Sequence, residues 1–117
     1  MNRLLAIFMI FLLLFSCTEK EQPITPENVL KQEKMVAIMV DIHLLEGAFH
    51  LNLLPPDTTG ENKIISRYGH IFSKHATTRK QYNESLKYYM QHPELLNKIY
   101  DNILTELSKK EAELTNK

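Results

Sequence analysis

Apolar positions in residues 35–54, MVAIMVDIHLLEGAFHLNLL, recur at helical rather than strand spacing. At ~100° per residue, Met35, Ile38, Ile42, Leu45, Phe49 and Leu53 share one face, and Ala37, Val40, Leu44, Ala48 and Leu51 widen it. A helix that is apolar around most of its circumference is normally the central one of a domain. Charged residues interrupt this one too often for a membrane span, so burial beneath other helices is its expected fate.

Three later segments supply the cover. Thr58 and Glu61 have capping-box spacing and open a helix over about residues 60–74, with Ile64, Ile65, Tyr68, Ile71 and Phe72 on its inward face. Thr78 and Gln81 repeat that spacing and open a helix over residues 79–91, whose inward stripe is Tyr82, Leu86, Tyr89 and Met90. Pro93 suits a first helical position, and after it Leu96, Ile99, Ile103, Leu107 and Leu114 recur at helical intervals, with Leu95, Tyr100 and Leu104 broadening the stripe. The closing SKKEAELTNK is polar and expected to fray.

The central helix has its own start signal at Thr25, Pro26 and Glu27: a cap, a proline where no N–H is needed, and an acid at the positive end of the dipole. It is expected to pause near residues 31–34 and to stop at Leu54, because Pro55 and Pro56 remove donors and restrict the residue before them. The pattern predicts an all-α fold, a small antiparallel bundle of about four helices over residues 26–117.

Residues 1–16 follow a different logic. Arg3 precedes twelve consecutive apolar residues, 4–15. That is too short for a bilayer, which needs about 20, and it reads as an export signal. Leu14, Phe15, Ser16 and Cys17 resemble the lipobox of bacterial lipoproteins, in which the cysteine is acylated and becomes the new N-terminus. Cys17 is the sole cysteine of the chain, so no internal disulfide competes for it. Each acyl methylene buried in the bilayer contributes roughly 0.8 kcal/mol, and more than one chain, palmitate among them, makes attachment stable. Residues 17–25, the lipidated Cys17 and a charged, proline-interrupted tether, would link membrane to domain. Glu19 and Glu21 resemble the acidic export signals of some surface lipoproteins, and Thr18 replaces the aspartate of the inner-membrane retention mark. The expected address is the cell envelope, at the outer membrane.

Composition narrows the function. The formal net charge is zero with 24% charged residues, so no global field suggests nucleic acid. Trp is absent and Gly is limited to three residues, which favours helices over a turn-rich β fold.

Two constellations carry candidate chemistry. His43, Glu46 and His50 fall within an arc of roughly 60° on the central helix, and His75 from the second helix is a potential fourth group. Such spacing lets imidazoles and a carboxylate converge on a metal or small ligand. The order is not the His-Glu-x-x-His of a metalloprotease, and a polar seam in which Glu46 pairs with a neighbouring histidine is the preferred reading. For His75 alone, a core histidine bonded to a carboxylate or a tyrosine hydroxyl is preferred. The second constellation is the stripe Lys63, Arg67, His70 and Lys74, opposite the inward face of its helix. It suits an anionic partner such as lipid headgroups, with a solvated face as the plainer reading. Asp41 is expected to answer a Lys, Arg or Tyr from a covering helix. Ser66 and Ser85 lack a nucleophile-elbow context and no glycine-rich loop is present, so no enzyme activity is predicted.

Taken together, the apolar helix with Met35, Asp41, His43 and Glu46, then Phe72 to His75, then Ser85, Leu86, Lys87, Tyr88 and Tyr89 with Pro93, and Ile99 and Tyr100 leading to Leu107, resemble a family of small lipoproteins from Bacteroidota that carry a domain of unknown function. The likeness covers about residues 23–107. It implies an envelope lipoprotein with a helical domain and no particular reaction. The expected function is therefore an anchored interaction or structural module, held to the membrane through lipid on Cys17 and docking an unidentified envelope protein. No cofactor is expected beyond that lipid. The alternative is a metal- or small-ligand-binding protein built on the His and Glu cluster.

Overall fold

The computed structural model describes residues 1–4, 7, 24–54 and 60–117, with side chains from Ile64 onward in the last stretch. Cys17, its lipobox, most of the tether, Pro55, Pro56 and Thr58 lie outside the described residues. From residue 24 on, the described chain forms four helices: α1 (Gln32–His50), α2 (Gly60–Lys74), α3 (Arg79–Met90) and α4 (Pro93–Thr115). No strand occurs among the described residues. The chain as a whole is extended, with principal extents of 85 × 39 × 19 Å and a radius of gyration of 22.1 Å; a compact domain of 100 residues would have about 13 Å.

The chain before α1 is not helical. Thr25, Pro26 and Glu27 lead into a single turn closed by Val29 N–H on the Pro26 carbonyl at 3.0 Å. Lys31 then sits in extended backbone as the N-cap of α1, without a side-chain capping bond. The reason lies across the domain. Leu30 is buried, and its two backbone groups are taken by α3: the Ser85 hydroxyl accepts from Leu30 N–H at 2.9 Å, and the Tyr89 hydroxyl donates to the Leu30 carbonyl at 2.7 Å. A residue held on both sides by another helix cannot also enter an intrahelical ladder, so the start signal at Pro26 yields a turn.

α1 also ends earlier than the prolines require. Asn52 N–H bonds the Phe49 carbonyl at 3.1 Å, Leu53 N–H bonds the Ala48 carbonyl at 2.9 Å, and Asn52 takes a left-handed φ of 53°. This is a Schellman closure, which satisfies two of the last carbonyls and turns the chain away before Pro55. α2 closes the same way: Ala76 N–H reaches Ser73, Thr77 N–H reaches Phe72, and Ala76 has φ 49°. α3 opens as its spacing predicts, since Thr78 Oγ1 accepts from Gln81 N–H at 3.1 Å. The reciprocal half of the capping box is absent, because the Gln81 side chain accepts instead from Thr77 Oγ1 at 2.9 Å.

α1 packs most extensively against α4, next against α2, and α3 packs on α4. Met35, Ile38, Tyr89, Ile99, Ile103 and Ser85 are fully enclosed, with Met39, Val40, Ile42, Ile71, Phe72, Tyr82 and Leu95 around them. The Phe72 and Tyr82 rings, 5.3 Å apart and tilted by 41°, join α2 to α3. Burial departs from the periodicity at the helix ends. On α1 it stops at Ile42: Leu45 and Ala48 are half-buried, and Phe49, Leu51 and Leu53 are exposed. Ile65, Met90, Tyr100, Leu104 and Leu114 are also exposed rather than inward. The end of α4 stays helical through Thr115, although every residue from 108 on is exposed. Lys, Glu, Ala and Leu are good helix formers and sustain it without packing.

Candidate functional site

Asp41 is the polar centre of the structure. It lies on α1 one turn after the enclosed Ile38, where α2 ends. Its Oδ2 accepts from Lys74 Nζ at 2.9 Å and faces His75 Nε2 at 2.7 Å. Because a carboxylate only accepts, His75 contributes an Nε2–H. The Schellman closure at Ala76 makes this possible: it ends α2 at Lys74 and leaves His75 in the cap position over α1. Burial by itself would raise the Asp41 carboxyl. The hydrogen bonds and charges of Lys74 and His75 outweigh it and hold the carboxyl below its usual range. The expectation that Asp41 answers a cation from a covering helix matches this geometry, and His75 bonds a carboxylate.

Two depressions flank the pair. One, of about 450 Å³, is lined by Glu33, Val40, Asp41, His75, Asn102 and Glu106 among others, between α1 and α4. The second, of about 540 Å³, lies between α1 and α2 and is lined by Asp41, Leu45, Ser66, Arg67, His70, Ile71 and Lys74. Three members of the basic stripe, Arg67, His70 and Lys74, thus border one depression, and Lys74 is already committed to Asp41. The Lys63 side chain lies outside the described residues.

The His and Glu cluster does not close on itself. His43 donates Nδ1–H to the Met39 carbonyl at 2.8 Å, one turn back on its own helix. Glu46 accepts from the Tyr68 hydroxyl at 2.8 Å. Burial first, and then the Glu46 carboxylate, push that hydroxyl above its usual range. His50 stands edge-on to Phe49, with ring centroids 6.1 Å apart. His75 is drawn to Asp41 and does not join them. Among the described residues, no group of three His, Cys, Asp or Glu is placed to hold a metal.

Tyr89 lies inward as its stripe predicts, whereas the clamp that it forms together with Ser85 is the feature that the pattern concealed. Both are fully buried, and Ser85 also donates to the Gln81 carbonyl at 2.7 Å. Desolvation raises the Tyr89 hydroxyl, which keeps it a donor. A serine midway along a tyrosine-rich apolar stripe, three after Tyr82 and four before Tyr89, was the available signal. Its role is to fix the segment before α1. Asp41, Lys74 and His75 thus form a polar tie between α1 and the end of α2.

A small all-α domain, with a polar tie between α1 and α2 and a buried clamp on the chain before α1, is the class these features define. The chain belongs to the family of the domain of unknown function DUF4296, whose profile matches residues 26–113. No curated protein and no solved structure matches it.

Proposed function

We propose that the protein is a lipid-anchored envelope protein whose α1–α4 domain works as an antiparallel bundle, an interaction or structural module held at the outer membrane. The observation that carries this reading is the leader: Arg3, an apolar run over residues 4–15, and Leu14, Phe15, Ser16 and Cys17 at its end. Two features support it. The family match begins at residue 26 and leaves the leader and tether outside the domain. Asp41, Lys74 and His75, and Glu46 with Tyr68, are engaged in ties between α1 and α2, as suits a scaffold. Acyl chains on Cys17 would supply attachment, and residues 18–25 would set the distance to the bilayer.

Mass spectrometry of the protein from its native host tests the anchor. The expected result is an N-terminus at Cys17 carrying fatty acyl chains, with Cys17→Ser abolishing acylation. An unmodified Cys17, or a leader still attached in the mature protein, refutes the reading. Crosslinking of the anchored protein in gently solubilised envelope tests the module, with one defined partner expected; recovery of only abundant bulk proteins counts against it.

A further inference from the structure

A third depression, of about 270 Å³, lies where α1, α2 and the start of α3 meet. Ile42, Phe72 and Tyr82 form its inner side, and all three are buried. The Phe72 and Tyr82 rings, packed on each other, give it an aromatic wall. Glu46 on α1 and Arg79, the first residue of α3, also line it, and both are exposed.

Three of its polar groups have bonding capacity to spare. Tyr82 is only 9% exposed, yet its hydroxyl has no hydrogen-bond partner among the described residues, whereas buried hydroxyls normally find one. Among the described residues, every side-chain nitrogen or oxygen that is shut off from solvent has a partner. The Tyr82 hydroxyl is therefore not sealed in, and it reaches the depression that its side chain lines. Burial first, and then Tyr100 and the Glu46 carboxylate, push it above its usual range, so it stays a donor. The Arg79 guanidinium makes no ion pair or hydrogen bond among the described residues. Glu46 commits Oε1 to Tyr68 and keeps Oε2.

We propose that this depression binds a small zwitterion, an α-amino acid with an apolar side chain. Its ammonium donates to the Glu46 carboxylate, its carboxylate accepts from the Arg79 guanidinium and the Tyr82 hydroxyl, and its side chain rests on Ile42 and Phe72. Charge, size and lining each select this class. A carboxylate and a guanidinium face the same small space without pairing, and a ligand with a single charge would answer one of them and be repelled by the other. The volume of about 270 Å³ falls below the roughly 300–1,000 Å³ of sites for drug-sized ligands, which leaves room for one amino acid and excludes a nucleotide or a folded peptide. An apolar interior with a few convergent polar groups is the usual make-up of a small-molecule site. None of these contacts involves the leader, so the site stands or falls apart from the anchored reading.

Equilibrium dialysis of the full-length protein, purified in mild detergent, against radiolabelled L-leucine, L-methionine and L-phenylalanine tests the site. At least one of them is expected to bind saturably at a single site, with Kd on the order of 1 mM or tighter. Its N-acetyl derivative, which lacks the ammonium, and its amide, which lacks the carboxylate, should each bind about tenfold more weakly or worse. Glu46→Gln keeps an acceptor for Tyr68, and Arg79→Gln changes an exposed side chain, so both variants should fold, as far-UV dichroism checks. Each should weaken the free amino acid about tenfold, while Arg79→Gln leaves the affinity of the amide unchanged. Tyr82→Phe should weaken binding too and leave Tm unchanged, because the lost hydroxyl bonds nothing among the described residues. The site is refuted if none of the three amino acids binds at concentrations on the order of 10 mM. It is equally refuted if the amide binds as tightly as the free amino acid, or if the Glu46 and Arg79 variants bind like the parent.

Discussion

Replacing Tyr89 by Phe removes one oxygen and leaves the ring, its edge contact with Tyr88 and its neighbours in place. The lost group donates at 2.7 Å to the carbonyl of Leu30, and Tyr89 is 0% and Leu30 6% exposed. A hydrogen bond of this kind contributes about 1 kcal/mol net, but here its acceptor stays buried and unpaired, and that desolvation penalty runs to about 1–3 kcal/mol. The expected destabilisation is therefore about 2 kcal/mol, near the upper half of ordinary point substitutions. Ser85→Ala strands the Leu30 N–H instead and is expected to cost about 1–2 kcal/mol. The Gln81 carbonyl that Ser85 also bonds retains its helical partner and adds little.

Both side chains hold the same residue, so their effects should not add. Once one bond is lost, the turn before α1 can shift and admit water to the other half of Leu30. The double variant should then cost less than the sum by at least about 0.5 kcal/mol. Urea and thermal unfolding followed by far-UV dichroism read this out. For a domain of this size each kcal/mol lowers Tm by about 4–8 °C, so Tyr89→Phe should lower it by roughly 8–16 °C with an unchanged urea m-value. A shift within about 2 °C of the parent, or strict additivity with Ser85→Ala, would refute the clamp.

Ala76 closes α2 with φ 49°, a conformation that Ala adopts at a cost and Gly does not. Ala76→Gly should accordingly raise stability by about 0.5–1 kcal/mol in the same unfolding assay, and a loss of stability would contradict the closure. The Asp41 carboxyl is held below its usual range in the folded chain, so its contribution is fully present above the unfolded value, near 3.9, and is lost as pH falls through the folded one. The parent should thus lose stability more steeply than Asp41→Asn as pH drops below about 4; parallel curves would show that the tie is not formed in solution. Tyr68→Phe removes a hydrogen bond at the surface to Glu46 and should cost under about 1 kcal/mol by urea unfolding, whereas a cost like that of Tyr89→Phe would mean that the α1–α2 contact is far more enclosed.

Helix identity was legible in the spacing of apolar residues, because each helix here buries one stripe and periodicity reports a stripe directly. α3 begins where the Thr78 cap places it and α4 begins at Pro93, whereas the polar end of α4 stays helical through Thr115 instead of fraying. The stretch before α1 was not legible. Its start signal is local, and it lost to two side chains about 55 residues away in sequence on α3. Periodicity also overstated burial, since it tells which positions share a face but not how far a neighbouring helix extends along that face. Ile65 and Leu104 sit on well-formed apolar stripes and are exposed for this reason.

The candidate site divides along the same line. Asp41 and His75 were placed by simple chemistry, since a buried-side carboxylate needs a donor and a histidine on an apolar face needs an acceptor. The cluster of His43, Glu46 and His50 looked convergent because three side chains within one arc of a helix must point the same way. Sharing an arc is a weaker condition than sharing a ligand, however. Two of the three side chains on that arc also have a nearer partner: a carbonyl one turn back for His43, and a tyrosine across the helix pair for Glu46. Helical spacing offers such partners at almost every position, so a metal reading from a single helix requires a group on a second helix that has no better use. His75 was that group here, and Asp41, facing it at 2.7 Å, takes it first.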